Sequence, residues 1–535
     1  MLTVDGRILT PPTIAYAANK SVSPSSGSWN MIQQKFSTGT RIANWSYFKI
    51  QFGDRDPLDT PLPGLMREFR TMMENCGLRV EAPNPGSGFP DLKLNASQPH
   101  THEAVIDQRL SNVRSKSGTR MLLVVLPTKS QALYASVKYL ADVRYGLSTV
   151  CSVASKLQTE RGRPQYLANV ALKWNLKGGG VNQQLPSNKM GILSTSKTMV
   201  VGIDVTHPSP GSREAAPSVA GVVASVDEKY GQWPASVRCQ ESRKEMVSEL
   251  EDMIVERLRV WQKRNAQALP QNILVYRDGV SEGQYQTVLD EESPAFDRAI
   301  TRVYPANRPR PKVSIIVVGK RHHTRFYPTK EEDTDRSGNP KNGTVVDRGI
   351  TSERHWDFFL QAHTGLQGTA RPAHYVVVQD QISLGADGLE QLVHIPSDFE
   401  HGLMPTHRPT ICVTSSVGRR RQFQSVRRPT TPTFYASALD AICTTRSIKI
   451  LRLAVAEPAP LMPIWLDGLA MFIQIFGIPC FTSSSQRRNG TDTILHVIHL
   501  AYQILCWCHC SCFFQTAGFQ ATALVSTMST ISTVL

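Results

Sequence analysis

The sequence predicts an α/β protein, and two observations support this class. Short apolar runs bounded by polar residues, among them "RMLLVVLPTKS" (120–130) and "KVSIIVVGK" (312–320), are typical of buried strands. Between such runs lie stretches with apolar residues at three- and four-residue steps, which predict amphipathic helices. Because strands and helices alternate, we expect at least one parallel sheet.

The bulk composition favours an intracellular protein with an anionic partner. The 535 residues are enough for roughly two to four domains. A net charge of +15 favours nucleic acid as the partner, and a merely basic surface is the alternative. Because three of the ten cysteines precede residue 400, we expect a reducing compartment: the cytoplasm, with the nucleus as a second location. The sequence has no signal peptide and no uninterrupted apolar run of membrane length, so no membrane partner is expected.

The first part of the chain predicts a linker and then a small α/β domain. Residues 1–62 contain clusters of Pro, Gly and Ser and are predicted to be a linker segment. Residues 63–190 are predicted to form the domain, with a helix at 64–82 and a strand at 120–130. A helix, a strand and a second helix follow, in "QALYASVKYLADVRYG", "STVCSVA" and "QYLANVALKWNLKGGG".

A second domain is predicted over residues 191–394. It begins with a strand, "KTMVVGIDVTHPSPG", that is predicted to end in Asp204. Two further strands follow, and we expect them to form a meander. "SRKEMVSELEDMIVERLRVWQKR" predicts a long amphipathic helix, with Glu245 near its start. The strands "NILVYRD", which ends in Asp278, "KVSIIVVGK" and "HYVVVQDQ" come next, and helical "LGADGLEQLVH" closes the domain.

The acidic residues Asp204, Glu245 and Asp278 form a candidate metal site. Strand-end aspartates of one sheet can converge on Mg²⁺, which prefers oxygen ligands. Two such ions, about 4 Å apart, would activate a water and stabilise the leaving oxygen of a phosphodiester. The alternative is structural: aspartates at strand ends often form turns, and a glutamate in a first helical turn complements the helix dipole.

Two pairs of residues in the first domain are spaced to hold a phosphate. Tyr134 and Lys138 are four residues apart, as are Lys173 and Lys177, so each pair shares one helix face. Lysines concentrate positive charge for a phosphate, and an aromatic ring can stack on a terminal base. The alternative is that the lysines are solvated and the tyrosine is half-buried packing.

Three strings together resemble the Piwi domain of Argonaute proteins: "GIDVTHP", "YRDGVSEGQY" and "GKRHHTRFYP". The similarity continues through "NGTVVDRGIT" and "WDFFLQAHTGLQGTARPAHYVVVQD", and "PQYLANVALKWNLKGGGVN" resembles the Mid domain of the same family. The resemblance runs from about residue 1 to 394. It implies an α/β architecture with a Rossmann-like Mid domain followed by an RNase H-like Piwi domain that is incomplete at its C-terminal end. The family's N-terminal and PAZ domains are not matched in this chain.

The resemblance implies small-RNA-guided RNA silencing, in which a guide RNA held by its 5′ phosphate directs cleavage of paired target RNA. The cofactor implied is Mg²⁺, with Mn²⁺ as the alternative. Asp204, Glu245 and Asp278 match the first three members of the family's catalytic set, and the two aspartates match its metal ligands. Small guide RNA, target RNA and tryptophan-containing silencing proteins are the partners implied.

The resemblance also assigns two sets of binding residues. Those that match the pocket for the guide's 5′ phosphate are Tyr134, Lys138, Lys173 and Lys177. Those that match contacts to the nucleic-acid backbone are Lys320, Arg321, His323 and Arg325. A metal site at the adjacent histidines 322 and 323 is disfavoured, because neighbouring residues in sequence rarely face one ion. Val150 departs from the family, where many members have a glutamine, and one phosphate hydrogen bond is expected to be lost.

Residues 395–535 are predicted to be an aberrant tail. The family pattern stops after His394, and Ser437 stands near the expected place of the fourth catalytic residue, although a hydroxyl is a poor Mg²⁺ ligand. For residues 422–445, the codons that could encode these residues can also encode the missing family motif when they are read in a shifted frame. We therefore interpret the tail as frameshifted or intron-derived and poorly ordered. On this interpretation the string "CWCHCSC" is not a metal site. The alternative function is then a catalytically inactive guide-binding protein or a non-functional fragment.

Overall fold

A computed structural model describes residues 2–397, apart from 25–28, 87, 210–211, 213–215 and 366–367. The tail interpreted as frameshifted or intron-derived thus lies, from residue 398 on, outside the described residues. The strands are β1 (Arg7–Ile8), β2 (Ile14–Ala15), β3 (Ser21–Val22), β4 (Arg41–Ile42), β5 (Trp45–Phe52), β6 (Arg79–Val80), β7 (Leu92–Leu94), β8 (Met121–Leu126), β9 (Ser148–Val153), β10 (Thr198–Thr206), β11 (Ser218–Ala224), β12 (Ala235–Gln240), β13 (Asn272–Asp278), β14 (Lys312–Gly319), β15 (Thr344–Val346), β16 (Trp356–Gln361) and β17 (Ala373–Asp380). 

The α-helices are α1 (Leu62–Asn75), α2 (His102–Ser117), α3 (Gln131–Lys138), α4 (Ala154–Gln158), α5 (Arg163–Lys177), α6 (Ile192–Thr195), α7 (Leu250–Arg264), α8 (Tyr285–Thr287), α9 (Ser293–Val303) and α10 (Ala386–Ser397). Two π-helical segments, Tyr139–Arg144 and Val288–Glu292, continue α3 and α8. None of the helices within the described ranges is both long enough and apolar enough to cross a membrane.

The larger sheet has nine strands within the described residues, in the order β1-β15-β16-β17-β14-β13-β10-β11-β12. Its centre is parallel, because β10 pairs with β13 and β13 with β14 in the same direction. On one side β11 and β12 extend it as the predicted antiparallel meander, and on the other side β17, β16 and β15 are antiparallel as well. This mixed sheet is consistent with the RNase H-like fold that the resemblance implies.

The central strands are buried on both faces, which explains their continuous apolar runs. In β10, Val201 and Ile203 face a cluster that includes Leu258 and Phe296, from α7 and α9. Val200 points the other way and belongs to a second apolar cluster. Because side chains alternate along a strand, a run buried on both faces shows no polar alternation.

The smaller sheet is parallel throughout, with the order β7-β5-β8-β9 among the residues that the structure describes. Helices α1 and α5 contribute Phe69 and Trp174 to the apolar cluster on one face. Helices α2 and α3 contribute Leu110 and Val137 to the cluster on the other face. This is the three-layer arrangement expected of a small Rossmann-like domain.

The segment 1–62, predicted as a linker, contributes strands to both sheets. β5 lies between β7 and β8, and seven of its eight residues are buried. β1 pairs with β15 at the edge of the larger sheet. The sequence obscured β5 because Lys49 and Gln51 interrupt its apolar run; Lys49 is nonetheless buried and forms an ion pair with Asp91 at 3.3 Å. Because strands of the segment 1–62 lie in both sheets, the domain boundaries drawn from the sequence stay predictions.

Helix α7 begins at Leu250, later than the apolar periodicity predicted. Residues 241–249 form turns instead, and Glu245 lies there and not in a first helical turn. The carbonyl of Glu245 accepts a hydrogen bond from the Arg277 guanidinium at 2.7 Å. The Gln240 amide donates to the carbonyls of Lys244 and Met246. Because side chains occupy these acceptors, they do not take part in an α-helical ladder.

Candidate functional site

The two strand-end aspartates occupy matching positions on neighbouring parallel strands. Ile203 of β10 pairs with Arg277 of β13, so that Asp204 and Asp278 follow side by side. Asp204 is buried, and β10 continues two residues beyond it to Thr206, in contrast to the predicted strand end. Residues in register on parallel strands project from the same face of the sheet. The structure thus brings these two carboxylates together.

Burial and nearby cations act on Asp278 in opposite directions. Burial raises the pKa of its carboxyl, and the Gly279 N–H, which donates to Asp278 Oδ1 at 2.7 Å, partly opposes this effect. The charges of Lys320 and Arg321 also favour the ionised form. These two cations of the "GKRHHTR" segment therefore lie within electrostatic reach of the aspartate.

Glu245 is held by two partners that the sequence did not reveal. Its Oε1 accepts a hydrogen bond from the Arg277 guanidinium at 2.9 Å, and its Oε2 lies 2.7 Å from His207 Nε2. Burial alone would raise the pKa of Glu245, but the hydrogen bond from His207 and the charge of Arg277 outweigh burial and lower it. Glu245 is thus an ionised carboxylate in a fixed position.

Arg277 and His207 are themselves fixed by further contacts. Arg277 is fully buried, and its guanidinium forms a second ion pair with buried Glu292 at 2.9 Å. His207 Nδ1 lies 2.9 Å from the hydroxyl of Ser218, which also accepts a hydrogen bond from the Arg243 backbone N–H. Because an ionised carboxylate can only accept, His207 Nε2 donates the hydrogen bond to Glu245.

Glu245 approaches the strand end closely because residue 279 is a glycine. Gly279 follows Asp278 and has φ +93°, and a Cβ at this position would lie 2.7 Å from Glu245 Oε1. The three predicted acidic residues thus share one region. They do not form a shared metal cage, since no group of three His, Cys, Asp or Glu side chains within the described part could hold an ion.

The donor set can nevertheless be tested against the implied Mg²⁺ ion. Asp204 and Asp278 supply carboxylate oxygens, the ligands that Mg²⁺ prefers, and burial disfavours the charge on Asp278 until a cation compensates it. These two residues fit a divalent cation. Glu245 does not fit as a direct ligand in this arrangement, because Arg277 and His207 occupy both of its oxygens.

A second charged region surrounds Cys151 on β9. Burial raises the pKa of its thiol to about 11, and the positive charges of Lys138, Lys177 and Lys173 act to lower it. The lysines come from α3 and α5, so two helices and one strand meet here. Tyr134 and Cys151 pack against the same apolar cluster. The structure thus gathers Lys138, Lys173 and Lys177 around Cys151 and packs Tyr134 against the same apolar cluster; their role in binding the guide's 5′ phosphate stays a prediction.

Lys138 is tied to its surroundings more tightly than the sequence suggested. Its ammonium donates to the carbonyl and the hydroxyl of Thr149, at 2.6 and 2.8 Å, and to Asp142 Oδ2 at 3.1 Å. Val150, where a glutamine was expected to contact phosphate, is buried in the core on the opposite face of β9 from Cys151. Its side chain therefore serves packing.

The predicted backbone-contacting residues differ in their placement. Arg321 and His323 are exposed, and Lys320 is partly exposed near Asp278. Arg325 turns back and donates to the carbonyls of His322 and Thr324, at 3.2 and 2.7 Å. 

His322, between these residues, is a packing residue. Its Nε2 lies 3.0 Å from the Pro372 carbonyl and its ring meets Phe359 edge-on, while burial lowers its pKa.

The sequence matches known proteins over most of the described region. The pattern of the Piwi domain matches residues 121–398. Protein argonaute 5 of Arabidopsis thaliana is 32% identical over 417 residues, and the match covers 74% of this chain and 40% of that protein. Protein argonaute 1A of Oryza sativa subsp. japonica is 34% identical over 421 residues, with 74% and 38% covered. The chain thus spans about two fifths of the length of these relatives.

Solved structures agree in fold. The C-terminal lobe of a budding yeast Argonaute has a TM-score of 0.66 at 25% identity, covering 86% of this chain and 92% of that one. Kluyveromyces polysporus Argonaute with a guide RNA has a TM-score of 0.65 at 25% identity, covering 84% of this chain and 51% of that one.

Proposed function

Because this chain belongs to the Argonaute family, we propose that it acts in small-RNA-guided silencing and binds a guide RNA by its 5′ phosphate. The observation that carries this proposal is the convergence of Lys138, Lys173 and Lys177 around Cys151. A terminal phosphate carries more charge than an internal one, so a concentrated positive site selects the end of the strand. The relative crystallised with a guide RNA supports the same ligand class.

The rest of the guide would run from this pocket towards the Piwi-like sheet, with the complementary target RNA paired to it. The charges of Lys320 and Arg321 act on Asp278, which supports a role for them in neutralising backbone phosphates there. His323 is exposed and could add a contact, whereas Arg325 would first have to leave the carbonyls it now binds. The net charge of +15 supports such a polyanionic partner.

Fluorescence anisotropy with the full chain tests guide binding. A labelled single-stranded RNA with a 5′ phosphate should bind at least about tenfold more tightly than the same RNA with a 5′ hydroxyl. Lys177→Ala should reduce this preference, while Lys263→Ala, an exposed lysine at the end of α7, should leave it unchanged. Equal affinity of the unaltered chain for both RNAs would refute the proposal.

A second candidate function is metal-dependent cleavage of the paired target, favoured by the adjacent aspartates Asp204 on β10 and Asp278 on β13. Asp204 and Asp278 would hold a divalent cation, which we propose is Mg²⁺ with Mn²⁺ as the alternative. Such an ion supplies an activated water and charge stabilisation for the leaving oxygen. Glu245 would hold a negative charge close to Gly279, the neighbour of Asp278, with its two oxygens fixed by Arg277 and His207.

Cleavage is tested with a target RNA paired to a 5′-phosphorylated guide. Product that forms with Mg²⁺ and disappears in Asp278→Asn supports the nuclease. Guide binding without product in the unaltered chain supports the inactive guide-binding alternative. That alternative was predicted because no fourth catalytic residue matches in 395–535, a region almost wholly outside the described residues.

Two further expectations follow from family membership and are proposals here. We propose that tryptophan-containing silencing proteins bind the chain, which a tryptophan-bearing peptide and its alanine variant would test by calorimetry. We also propose a cytoplasmic location with a nuclear pool, since Cys76, Cys151 and Cys239 are reduced thiols in the described part. Imaging of the tagged full chain tests this location.

A further inference from the structure

The ammonium of Lys138 has used all its donors within the protein. A lysine ammonium has three N–H donors. In the described residues they go to the Thr149 carbonyl, the Thr149 hydroxyl and Asp142 Oδ2. A phosphate oxygen can therefore accept from Lys138 only if one of these contacts is given up.

The contact to Asp142 is the one that can be exchanged. At 3.1 Å it is longer than both contacts to Thr149, at 2.6 and 2.8 Å. Asp142 also has its own anchor, because its Oδ1 accepts from the Thr149 hydroxyl at 2.8 Å and from the Thr149 backbone N–H at 3.2 Å. Loss of the lysine contact would leave both Asp142 and Lys138 held by Thr149.

The ion pair lies in a setting where charges interact strongly. The side chains of Lys138 and Asp142 are only 12% and 18% exposed, so water screens them poorly. Lys173 and Lys177 stand nearby, around Cys151. A carboxylate among these lysines therefore offsets part of the positive charge that a phosphate would meet.

We propose that Asp142 is an internal substitute for the guide's 5′ phosphate, which occupies Lys138 in the RNA-free protein and yields it when the phosphate binds. Thr149 is the positioning residue that keeps Lys138 in place in both states. This inference rests on the proposed guide-binding function. It makes Asp142 a specificity-determining residue: the phosphate can displace the carboxylate from Lys138, whereas a 5′ hydroxyl lacks the charge to do so.

The test measures the ratio of affinities for 5′-phosphorylated and 5′-hydroxyl RNA in full-length variants. Asp142→Asn keeps the shape, and its carbonyl oxygen can still accept from Thr149. The NH2 group that then replaces Oδ2 cannot accept from Lys138, so the ratio should rise about fivefold. Thr149→Val removes the hydroxyl that positions Lys138, so the ratio should fall about fivefold, and Thr149→Ser should restore it. Asp107→Asn is the matched control, because Asp107 contacts Tyr145 and Arg144 and not the lysines.

If Asp142 had a purely structural role, the affinity ratio would change in the same direction in Asp142→Asn and Thr149→Val. The unfolding temperatures of both variants would change with it. A fall or no change in the ratio for Asp142→Asn, with the preference of the unaltered chain intact, overturns this inference and leaves guide binding standing. Absence of any 5′-phosphate preference in the unaltered chain overturns the proposed function, and this inference with it.

Discussion

At the residue scale, Arg277 shows how a charge can be accommodated inside a sheet. It sits on a central strand with no exposed surface, and Glu245 and Glu292 balance it from two directions. An unpaired charge in this place would be strongly disfavoured by the loss of hydration. The arginine therefore connects the stability of the fold to the position of Glu245 beside the aspartate pair.

Arg277→Met should destabilise the protein by roughly 3–5 kcal/mol, because it leaves two carboxylates without their buried partner. Urea unfolding monitored by tryptophan fluorescence measures the effect. Arg298→Met is the matched control: this exposed arginine pairs with Glu251 on the surface and should cost about 1 kcal/mol or less. Similar losses in both variants would contradict the account of Arg277.

Cys151 and Cys239 should differ in their reactivity towards alkylating agents. Burial raises the pKa of Cys151 to about 11, so its thiolate fraction near pH 8 should be about 100-fold below that of an ordinary exposed cysteine. Cys239 is exposed. Peptide mass spectrometry after iodoacetamide treatment should find Cys239 modified first, with the Cys151 rate still rising between pH 9 and about 11. Equal rates at pH 8 would disagree with the raised pKa of Cys151.

At the scale of elements, the sequence was informative wherever burial was uniform. β8, β10, β13 and β14 are apolar because both of their faces are covered, so their apolar runs are easily recognised in the sequence. β5 was missed because a buried lysine and glutamine break its run. Polar residues in a central strand depend on partners elsewhere in the chain. The hydrophobic periodicity of the sequence does not reveal these partners.

The turn before α7 illustrates the same limit for the site. Strand-end aspartates are visible in the sequence because an acidic residue follows an apolar run. The surroundings of Glu245 are not visible, since His207 and Arg277 reach it from positions 38 and 32 residues away. One signal was available: an arginine inside the buried string "NILVYRD" requires a buried acidic partner.

Gln240→Ala should loosen this turn and cost about 1–3 kcal/mol of stability. The Gln240 side chain is buried, donates to two carbonyls of the turn and accepts from the Ser248 backbone N–H. Hydrogen–deuterium exchange should become faster in residues 241–249 while β13 stays protected. Gln286→Ala, which removes an exposed contact to Asp290, should leave exchange in the turn unchanged. Unchanged exchange in Gln240→Ala would show that other contacts hold the turn.

At the scale of the whole molecule, a net charge of +15, with cations both around Cys151 and near Asp278, favours a polyanionic partner. RNA affinity should therefore fall steeply as salt rises, because each neutralised phosphate releases counterions. Lys320→Ala should reduce the slope of log affinity against log salt concentration by about 1 and weaken binding for all sequences alike. Lys263→Ala should leave the slope unchanged. A slope that Lys320→Ala does not alter would place Lys320 outside the RNA path.

The pairing of β1 with β15 has a consequence for how the molecule is made. Arg7 pairs across the sheet with Val345 and contacts Glu390 of α10, from which it is 383 positions distant in sequence. On the ribosome, residue 7 emerges long before its neighbours in the sheet are synthesised, so the edge strand β1 of the larger sheet pairs late in synthesis. Until then β1 has no strand to pair with, and nascent chains would depend on chaperones to keep these unpaired segments from pairing with one another.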